Sequence, residues 1–540
     1  LSPILNPQTR RLQRMDKAMR LSQWLVDATK GSPQRPKSLE DAINYHTQEG
    51  SFLDWARLTL PIAEPHRELS TAYGKLFESV TEIREKQSYQ FAKLLKDWTA
   101  IGSTRKSVLP VEQILETVVA PLAENNLVLL LVMDGMSLSV AHELISDLTK
   151  QTWQLITPNT QDLPIQPGLA AIPSETSVSR ASLLCGKLTQ GQQNQEKKGF
   201  TKNSDLLQHS PLLFHKDALQ SISPPLLSGD VQPALETDKH QVVGLVINAV
   251  DDLLAKGDQV DIVWNYDRIK VLNPILEAAS EGKRLVIVTS DHGHVIHNGT
   301  EYQAPKGKER WRTDNGKPTE KELQLTGERV VVPKGDSIIV PWTEKLRYCT
   351  NKKNGYHGGI NPQEMIVPIA VLTSDTPPAN WQVSTPQVPD WWSISQPNTN
   401  KPTQSDQPQD KLFQPELGPL FSYAEALETS PSPTQIPTWV TQLLKSPIYK
   451  TQLKLFNQYQ LPKEQVTHIL SLLENLIGST TLSNLARILE KSPESLRPLL
   501  HYLQKTLNIE GYLIMIYDNK TENLMLNIPL LQQQFDIQSG

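Results

Sequence analysis

Residues 125–137 read NNLVLLLVMDGMS, and this stretch decides the fold class of the chain. Its unbroken apolar run lacks the alternation of a half-exposed strand and is typical of a parallel strand buried on both faces. Residues 138–148 then place apolar side chains on one helical face, at Leu138, Ala141, Ile145 and Leu148. A buried strand followed by an amphipathic helix is the repeating unit of an α/β fold.

Similar apolar runs recur along the middle of the chain. They are QVVGLVINAVDD (241–252), DIVW (261–264), RLVIV (284–288) and MIVPIAVL (365–372). Helical patterning follows DIVW over residues 267–280, which adds a further strand-helix unit. The sequence therefore predicts an α/β domain with a mainly parallel sheet over residues 121–374.

Three further regions flank this domain. Apolar residues at spacings of three and four predict a helical region over residues 1–120. Residues 375–432 are rich in Pro, Gln, Ser, Thr and Asn without periodicity, which predicts a linker. Residues 433–540 end in two helical patterns followed by two strand patterns, the order of a winged helix-turn-helix. Ser492 before Pro493 predicts where the second of these helices begins.

The composition excludes several classes of protein. The formal net charge of -5 gives no overall electrostatic reason to expect binding to nucleic acid or a membrane surface, so such binding must be local. Only two cysteines occur, Cys185 and Cys349, which excludes a disulfide framework and favours a cytoplasmic location. No apolar stretch approaches the roughly 20 residues of a membrane span, and no signal-peptide pattern is found. The first residue is Leu1 rather than Met, so the interpretation that the sequence is a fragment of a longer chain stays open.

Polar residues follow the apolar runs, at the strand ends where open α/β sheets bind their ligands. Asp134 follows the first run, Asp251 lies in NAVDD, Asp291 and His292 follow RLVIV, and His357 precedes the last run. Carboxylate and imidazole groups together favour zinc or manganese, and magnesium less typically. Each residue alone also has a plain structural explanation, such as a turn at Asp134 or a capped loop at Asp291.

A run of hydroxyl residues, PSETSVS (173–179), begins a further helical pattern. A helix N-terminus offers free N–H groups to an anion such as phosphate, and a hydroxyl beside a divalent cation attacks phosphorus more readily. The alternative is a helix capped by Ser or Thr without any chemistry. In NPQE (361–364), we interpret Glu364 as part of a capping box with Asn361 rather than as a catalytic acid.

Taken in order, these motifs resemble the PglZ domain of the alkaline phosphatase superfamily. The motifs are the strand ending in Asp134, PSETSVS, NAVD, TSDHGH (289–294) and YHGGINPQEMIVPIAVL (356–372). The likeness is closest to the PglZ phosphatases of type 2 BREX phage-exclusion systems. It covers about half of the chain, and its specificity comes from the order of the motifs. The resemblance implies an alkaline-phosphatase-like core, one or two divalent cations and phosphoester chemistry.

The resemblance also implies a first metal site. One cation is expected on Asp134, Thr176, Asp291 and His292, and the family spacing assigns the nucleophile to Thr176 rather than Ser174. Zinc is the expected metal, with manganese or magnesium as alternatives.

A second cation is expected on Asp251 and His357. The histidine that the family carries four residues after the aspartate is replaced here by Ala255. Asp252 or His294 could compensate, and otherwise the centre holds a single cation.

The resemblance implies a metal-dependent phosphoester hydrolase, either a phosphodiesterase or a phosphatase, that acts in phage defence with other proteins of the system. Its substrate could be a phosphomonoester, a nucleotide diester or a nucleic-acid backbone, and Arg180 and His294 are candidates for binding it. The alternative is a catalytically weak or inactive scaffold or ligand-sensing subunit, which Ala255 favours. No membrane partner is expected.

The small C-terminal domain has two open interpretations. DNA binding requires a basic second helix, and Arg497, His501 and Lys505 make this helix only modestly basic, with Glu494 opposing them. Docking of another protein is an equally open role.

Overall fold

The structure is a computed structural model that describes residues 7–30, 36–62, 64–101, 108–161, 163–219, 227, 229–255, 264–266, 268–303, 307–313, 316–332, 335–392, 437–455, 462–475, 479–489, 491–508, 514–517, 523–535 and 537. The chain divides into two compact units. The first comprises Leu1–Glu64, Glu68–Trp392 and Asn508–Leu513, and the second comprises Pro65–Arg67, Ser393–Leu507 and Ile514–Gly540. No helix within the described ranges combines the length and apolarity that crossing a membrane requires.

The helices that precede residue 366 are α1 (Pro7–Lys30), α2 (Leu39–Tyr45), α3 (Ser51–Arg57), α4 (Arg67–Ile101), α5 (Ala120–Ala123), α6 (Leu138–Leu148), α7 (Thr176–Cys185), α8 (Gln193–Thr201), α9 (Lys216–Leu219), α10 (Val231–Glu236), α11 (Ala249–Ala255), α12 (Leu272–Glu281) and α13 (Pro362–Met365). Short 3-10 segments occupy Val111–Gln113, Leu207–His209 and Asp390–Trp392, and π-helical turns occupy His46–Gly50 and Leu115–Val119.

The strands of the first unit are β1 (Val128–Met133), β2 (Gln154–Pro158), β3 (Ile165–Leu169), β4 (Leu212–Phe214), β5 (Val242–Ile247), β6 (Leu285–Thr289), β7 (Val295–Ile296), β8 (Glu301–Tyr302), β9 (Arg312–Thr313), β10 (Glu322–Thr326), β11 (Ser337–Pro341), β12 (Leu346–Arg347), β13 (Gly355–Tyr356), β14 (Ile366–Thr373) and β15 (Trp381–Val383).

The main sheet has a parallel half built around β1. Strand β1 lies between β5 and β6, parallel to both, and β4 continues the parallel half beyond β5. Every residue of β1, β5 and β6 is buried, because helices cover both faces of a parallel sheet and the strands carry unbroken apolar runs. The strands that the sequence predicts at these three runs are confirmed, and so is the α/β fold.

The other half of the sheet is antiparallel, so the whole sheet is mixed. Strand β14 lies beside β6 and runs antiparallel to it, and β2 and β3 pair antiparallel with β14 on its other side. The sequence does not predict this reversal, because an unbroken apolar run has the same pattern whichever direction the buried strand takes. The reversal matters for the site, since the first residues of β14 lie at the edge where the parallel strands end.

The first unit extends beyond the predicted boundaries of 121–374. Side chains of the N-terminal helices, such as Leu39 and Phe91, belong to the same apolar core as the sheet. Strand β15 pairs with β2, and Trp391 lies 6.5 Å from Trp24 between ring centroids. Residues 375–392, which the sequence assigns to the linker, are therefore part of this unit. Of the predicted strand at residues 261–264, only Trp264 is described, and it is not part of a strand. The rest of the predicted linker, 393–432, lies outside the described residues.

The second unit contains α14 (Thr438–Lys445), α15 (Pro447–Leu455), α16 (Lys463–Asn475), β16 (Ser479–Thr481), α17 (Leu482–Ile488), α18 (Pro493–Leu507), β17 (Met515–Tyr517), β18 (Asn523–Leu526) and α19 (Ile528–Gln534). Its described strands form an antiparallel sheet in the order β16-β18-β17. The predicted order of two helices followed by two strands is present. Ser492 precedes α18 as expected, and its Oγ accepts a hydrogen bond from the N–H of Ser495.

Candidate metal centre

Three loops meet at the edge of the sheet where β1, β5 and β6 end. Asp134 follows β1, Asp251 lies in the first turn of α11 after β5, and Asp291 with His292 follows β6. Adjacent parallel strands present their carboxyl ends at one edge, so these side chains converge. Gly135 makes the sharp turn after β1 with a φ of +76°, where a side chain would add strain, and its N–H donates to Asp291 Oδ1 over 3.2 Å.

The Asp134 carboxylate uses its two oxygens differently. Oδ2 accepts hydrogen bonds from Arg180 Nη1 and from Asn248 Nδ2, both over 2.6 Å. Oδ1 faces away from these donors and lies 3.6 Å from His292 Nε2. One oxygen is therefore held by the protein, and the other is directed at the centre of the group.

The Asp291 carboxylate shows the same division. Oδ1 accepts from the N–H groups of Gly135 and His292, over 3.2 and 3.0 Å. Oδ2 is fully buried, and no hydrogen-bond partner for it exists among the described residues. It lies 3.5 Å from His292 Nε2. Native proteins rarely leave a buried carboxylate oxygen unsatisfied, so this atom is available as a ligand for a cation.

His292 presents a ring nitrogen to both carboxylates. Its Nδ1 hydrogen bonds to the carbonyl oxygen of Gly293 over 2.9 Å, which in the neutral ring places the proton on Nδ1 and leaves the Nε2 lone pair free. One oxygen of Asp134, one oxygen of Asp291 and His292 Nε2 lie within 4.8 Å of one another. All three side chains are buried. Two carboxylates and one imidazole are a donor set for zinc or manganese.

Thr176 lies against this group as the first residue of α7. Its Oγ1 is 3.3 Å from Asp134 Oδ1 and 3.2 Å from His292 Nε2. Thr176 is half-buried, whereas the three potential ligands beside it are buried. Ser174, the alternative nucleophile in the same motif, is fully buried and donates to the carbonyl oxygen of Gly359 over 2.7 Å. The structure thus brings together the four residues predicted for the first cation.

The charges of this group oppose one another in the protein interior. Burial raises the pKa of Asp134 well above its usual value, and the neighbouring Asp291 adds to the rise. Burial also acts to raise the pKa of Asp291, but His292, Arg180 and the backbone N–H donors outweigh it and lower that pKa. Burial acts to lower the pKa of His292, yet Asp291 and Asp134 raise it. These opposed shifts show that the metal-free group favours binding of positive charge, which a divalent cation would supply.

The residues predicted for the second cation lie beside the first group. His357 Nε2 is 3.6 Å from Asp251 Oδ1, and the His357 ring stacks on His292 with 4.4 Å between ring centroids. Glu309 also faces His357, with 3.8 Å between Oε2 and Nε2. Ala255 ends α11 and offers no ligand atom. This second group thus contains one histidine, where the family pattern has two.

The two residues considered as replacements for Ala255 differ in their surroundings, and His294 interacts electrostatically with Asp251 and His357 of this second group. The Asp252 carboxylate is paired with Lys216. His294 is 6 % exposed and its Nδ1 hydrogen bonds to the Gly135 carbonyl oxygen over 2.7 Å. Burial lowers the pKa of His294 to about 4, so its ring is neutral at physiological pH.

The sequence matches two protein families. Residues 114–372 match the family described as the BREX system PglZ alkaline phosphatase-like domain, and residues 434–536 match the BREX system PglZ C-terminal domain. The chain is a PglZ protein of the BREX type. The PglZ domain contains the whole of the group around Asp134 and Thr176, and the resemblance in the motif order is confirmed.

Comparison with individual proteins adds little to the family assignment. No curated protein matches the chain. Two solved structures of phosphonoacetate hydrolase from Sinorhizobium meliloti 1021, with phosphonoformate and with phosphonoacetate, align over 49% of this chain and 94% of theirs. Each has 10% sequence identity and a TM-score of 0.31. At these values the likeness supports no statement about the activity of the PglZ domain.

One predicted site residue occupies an unexpected position in the PglZ domain. The sequence predicts Arg180 as a substrate-binding residue, but its side chain is 5 % exposed and its guanidinium pairs with Asp134 and Glu196. Sequence spacing gives the helical face of an arginine but not its partners, which come from other elements. Arg180 therefore contacts the candidate metal ligands rather than the solvent side of the site.

Sequence reasoning also missed three residues of the PglZ domain. Asn248 is the first residue of NAVD and follows β5, so its position at a strand end was a usable signal. Glu196 lies on α8 and Glu309 in a loop, and neither directly follows a strand of the parallel half in the sequence. No sequence pattern marks either of them.

Proposed function

We propose that the PglZ domain is a metal-dependent phosphoester hydrolase with Thr176 as its nucleophile. The observation that carries this proposal is the convergence of three potential ligand atoms, Asp134 Oδ1, Asp291 Oδ2 and His292 Nε2, beside the Thr176 hydroxyl. The family match to an alkaline phosphatase-like domain supports the choice of phosphoester chemistry. A purely structural group would satisfy Asp291 Oδ2 with a hydrogen-bond donor, and this one does not.

Asp134, Asp291 and His292 would hold a divalent cation, zinc first among the candidates. Bound there, the cation would favour loss of the proton from the Thr176 hydroxyl and stabilise negative charge on the phosphoryl oxygens. In the absence of a cation, the Thr176 hydroxyl donates a hydrogen bond to Asp134 Oδ1, and His292 Nε2 is the neighbouring acceptor. Because Thr176 is the first residue of α7, the positive end of the helix dipole would favour an anion bound at its hydroxyl.

Asp251 and His357 are proposed to hold a second cation or to stabilise the leaving group directly. Ala255 leaves this group with one ligand fewer than the family pattern has. Asp251 and His357 are both partly accessible, so they border the space that a substrate would enter. We therefore propose one firmly held cation and a second, weaker position.

Ala255 also favours a second candidate function. A chain that has lost a ligand of the second cation could retain the first cation for structure or for sensing a phosphorylated ligand. In that case the protein would bind metal without turnover of phosphoesters. The proposed role in phage defence, alongside other proteins of the BREX system, is compatible with either function, and so is a cytoplasmic location.

For the second unit, a winged-helix-like fold remains a proposal, and its binding partner is either DNA or a protein. Arg497, His501 and Lys505 recur every four residues on the exposed side of α18, with Glu494 at its start. A basic stripe of this size gives DNA binding that weakens steeply with salt. Binding of a labelled duplex to the full chain at low and at high salt tests the DNA role, and its absence at low salt leaves the docking role.

The test of the main proposal is hydrolysis of bis-(p-nitrophenyl) phosphate and p-nitrophenyl phosphate with Zn²⁺, Mn²⁺ or Mg²⁺ added. We expect turnover that needs the metal and falls about 1000-fold or more in Thr176→Ala. Ser177→Ala is the matched control, because Ser177 is the next hydroxyl on α7 and bonds to Glu175 instead of the metal group. Metal binding without hydrolysis of either ester in the native chain would favour the sensing role.

A further inference from the structure

A row of buried charged groups extends from Asp134 into the protein. Arg180 Nη1 donates to Asp134 Oδ2 over 2.6 Å, and Arg180 Nε donates to both oxygens of Glu196, over 3.1 and 3.3 Å. Glu196 Oε2 is in turn 2.6 Å from His215 Nε2. All four residues are at least nine-tenths buried. They come from the end of β1, from α7, from α8 and from the end of β4.

Arg180 and Thr176 hold the same carboxylate from the same helix. They are four residues apart on α7 and therefore lie on one face of it. Thr176 Oγ1 contacts Asp134 Oδ1, while Arg180 Nη1 contacts Asp134 Oδ2. The result is a closed ring from the nucleophile through the carboxylate to the arginine and back along the helix. Any rotation of the Asp134 carboxylate would break one of these contacts.

Glu196 determines which way the guanidinium points. A buried arginine beside Asp134 alone could form a two-pronged pair that uses both carboxylate oxygens. Glu196 binds the Nε side instead, so that only Nη1 reaches Asp134 and only Oδ2 is used. His215 in turn contacts the second oxygen of Glu196. Asn248 adds a second donor to Asp134 Oδ2.

The charges around Asp134 fit a cation at the proposed metal site. Glu196 pairs with Arg180, and the ionised carboxylates of Asp134 and Asp291 contribute two negative charges that one divalent cation would neutralise. Arg180 repels a cation but also favours the ionised form of Asp134 that would bind one, so metal affinity alone does not explain its contact with a single oxygen. Orientation of Asp134 does explain it.

We propose that Arg180, held in place by Glu196, is a positioning residue that makes Asp134 present a single oxygen to the cation and to Thr176. This inference rests on the proposed function of the site. It assigns Arg180 to the metal ligand rather than to the substrate. When Arg180 is lost, Asp134 is expected to turn and offer both oxygens to the cation, which moves its charge away from the Thr176 hydroxyl.

The test uses the full chain loaded with Co²⁺, whose visible absorption reports the number of ligand atoms. Native protein, Arg180→Met and Asn248→Ala are compared, because Asn248→Ala removes the other donor to Asp134 Oδ2 and leaves the buried charges intact. Arg329→Met is the control, since Arg329 is an equally buried arginine paired with Glu112. Spectra and Co²⁺ dissociation constants are measured for each, with ester turnover as a second readout.

We expect the Co²⁺ spectrum to change in Arg180→Met, and in the same direction but less in Asn248→Ala, with affinity no weaker than in the native chain. For turnover, kcat is expected to fall about 100-fold in Arg180→Met with little change in KM, as misplacement of a reacting group does. If Arg180→Met fails to fold, Asn248→Ala decides the matter through its spectrum.

Three results would overturn the inference, and they can be told apart. Unchanged spectra in both variants, with native Co²⁺ binding intact, would refute the positioning role alone. Equal losses of Co²⁺ affinity in Arg180→Met and in Arg329→Met would also refute the positioning role, since both losses would reflect general destabilisation of the protein. Absence of Co²⁺ binding in the native chain would instead refute the proposed metal site, and the positioning role with it.

Discussion

Replacing Asp291 by Asn should stabilise the metal-free protein while abolishing its metal response. The amide oxygen of Asn can keep the two hydrogen bonds that Oδ1 accepts from Gly135 and His292. The amide NH₂ then takes the place of Oδ2, the buried atom without a partner. In this position it can donate toward His292 Nε2, which lies 3.5 Å from Oδ2. The change also removes one of two opposed carboxylates.

The expected magnitude follows from the cost of an unsatisfied buried acceptor. That cost is about 1–3 kcal/mol, so Asp291→Asn should raise the free energy of unfolding in EDTA by about that amount. Loss of the repulsion between Asp134 and Asp291 acts in the same direction. Loss of the attraction to His292 and Arg180, which lowers the pKa of Asp291, acts against it and keeps the gain near the lower end of this range. With metal present the order reverses, because a cation at 100 times its dissociation constant stabilises the native chain by about 2.7 kcal/mol. The variant should gain little from the same addition.

Thermal unfolding in EDTA and with added Zn²⁺ or Mn²⁺ measures both effects. Asp252→Asn is the matched control, because Asp252 is partly exposed and paired with Lys216 outside the metal group. The control should behave like the native chain in both conditions. If Asp291→Asn were less stable than the native chain in EDTA, Asp291 Oδ2 would have a stabilising partner, and the assignment of this atom to a cation would fail.

Three further predictions concern the surroundings of the site and the fold. Gly293→Ala should lower the free energy of unfolding by about 3 kcal/mol, since its Cβ would lie 2.0 Å from the Gln363 carbonyl oxygen. Urea unfolding measures this loss, and an unchanged free energy of unfolding would contradict the prediction. Burial lowers the pKa of His142 to about 3, below an unfolded value of about 6.5, so stability present at neutral pH is lost as pH falls from 6.5 toward 3. His142→Phe should flatten that loss by up to about 1.4 kcal/mol per pH unit, and an unaltered pH profile would contradict this. Glu364→Gln should cost about 3–5 kcal/mol in unfolding experiments because it leaves the buried Arg310 without its charge partner, and a cost below 1 kcal/mol would refute this.

The sequence predicts the parallel half of the fold well because each strand there is buried on both faces. The apolar runs that precede Asp134 and Asp291 are examples of such strands. Because Asp134 and Asp291 follow the ends of two strands of one parallel sheet, the sequence also predicts that their carboxylates meet. The capping box at Asn361 and Glu364 is likewise confirmed, since it depends on residues three apart in the chain. Local patterns of this kind require no knowledge of the tertiary structure.

What the sequence could not supply depends on contacts between distant segments. The direction of β14 follows from the path of the chain between β6 and β14, which leaves no trace in an apolar run. The burial of Arg180 depends on Glu196, which reaches it from another helix. Glu309 reaches His357 from a loop with no pattern that marks a ligand. The sequence therefore predicts which residues stand at the strand ends but not which charges balance them.

The most direct test of the central claim is an anomalous difference map from a crystal of the full chain grown with Zn²⁺. We expect a peak bonded to Asp134 Oδ1, Asp291 Oδ2 and His292 Nε2 at about 2.0–2.2 Å, with Thr176 Oγ1 adjacent to it. A map with no peak at this group, or with zinc only at Asp251 and His357, would contradict the proposed metal centre.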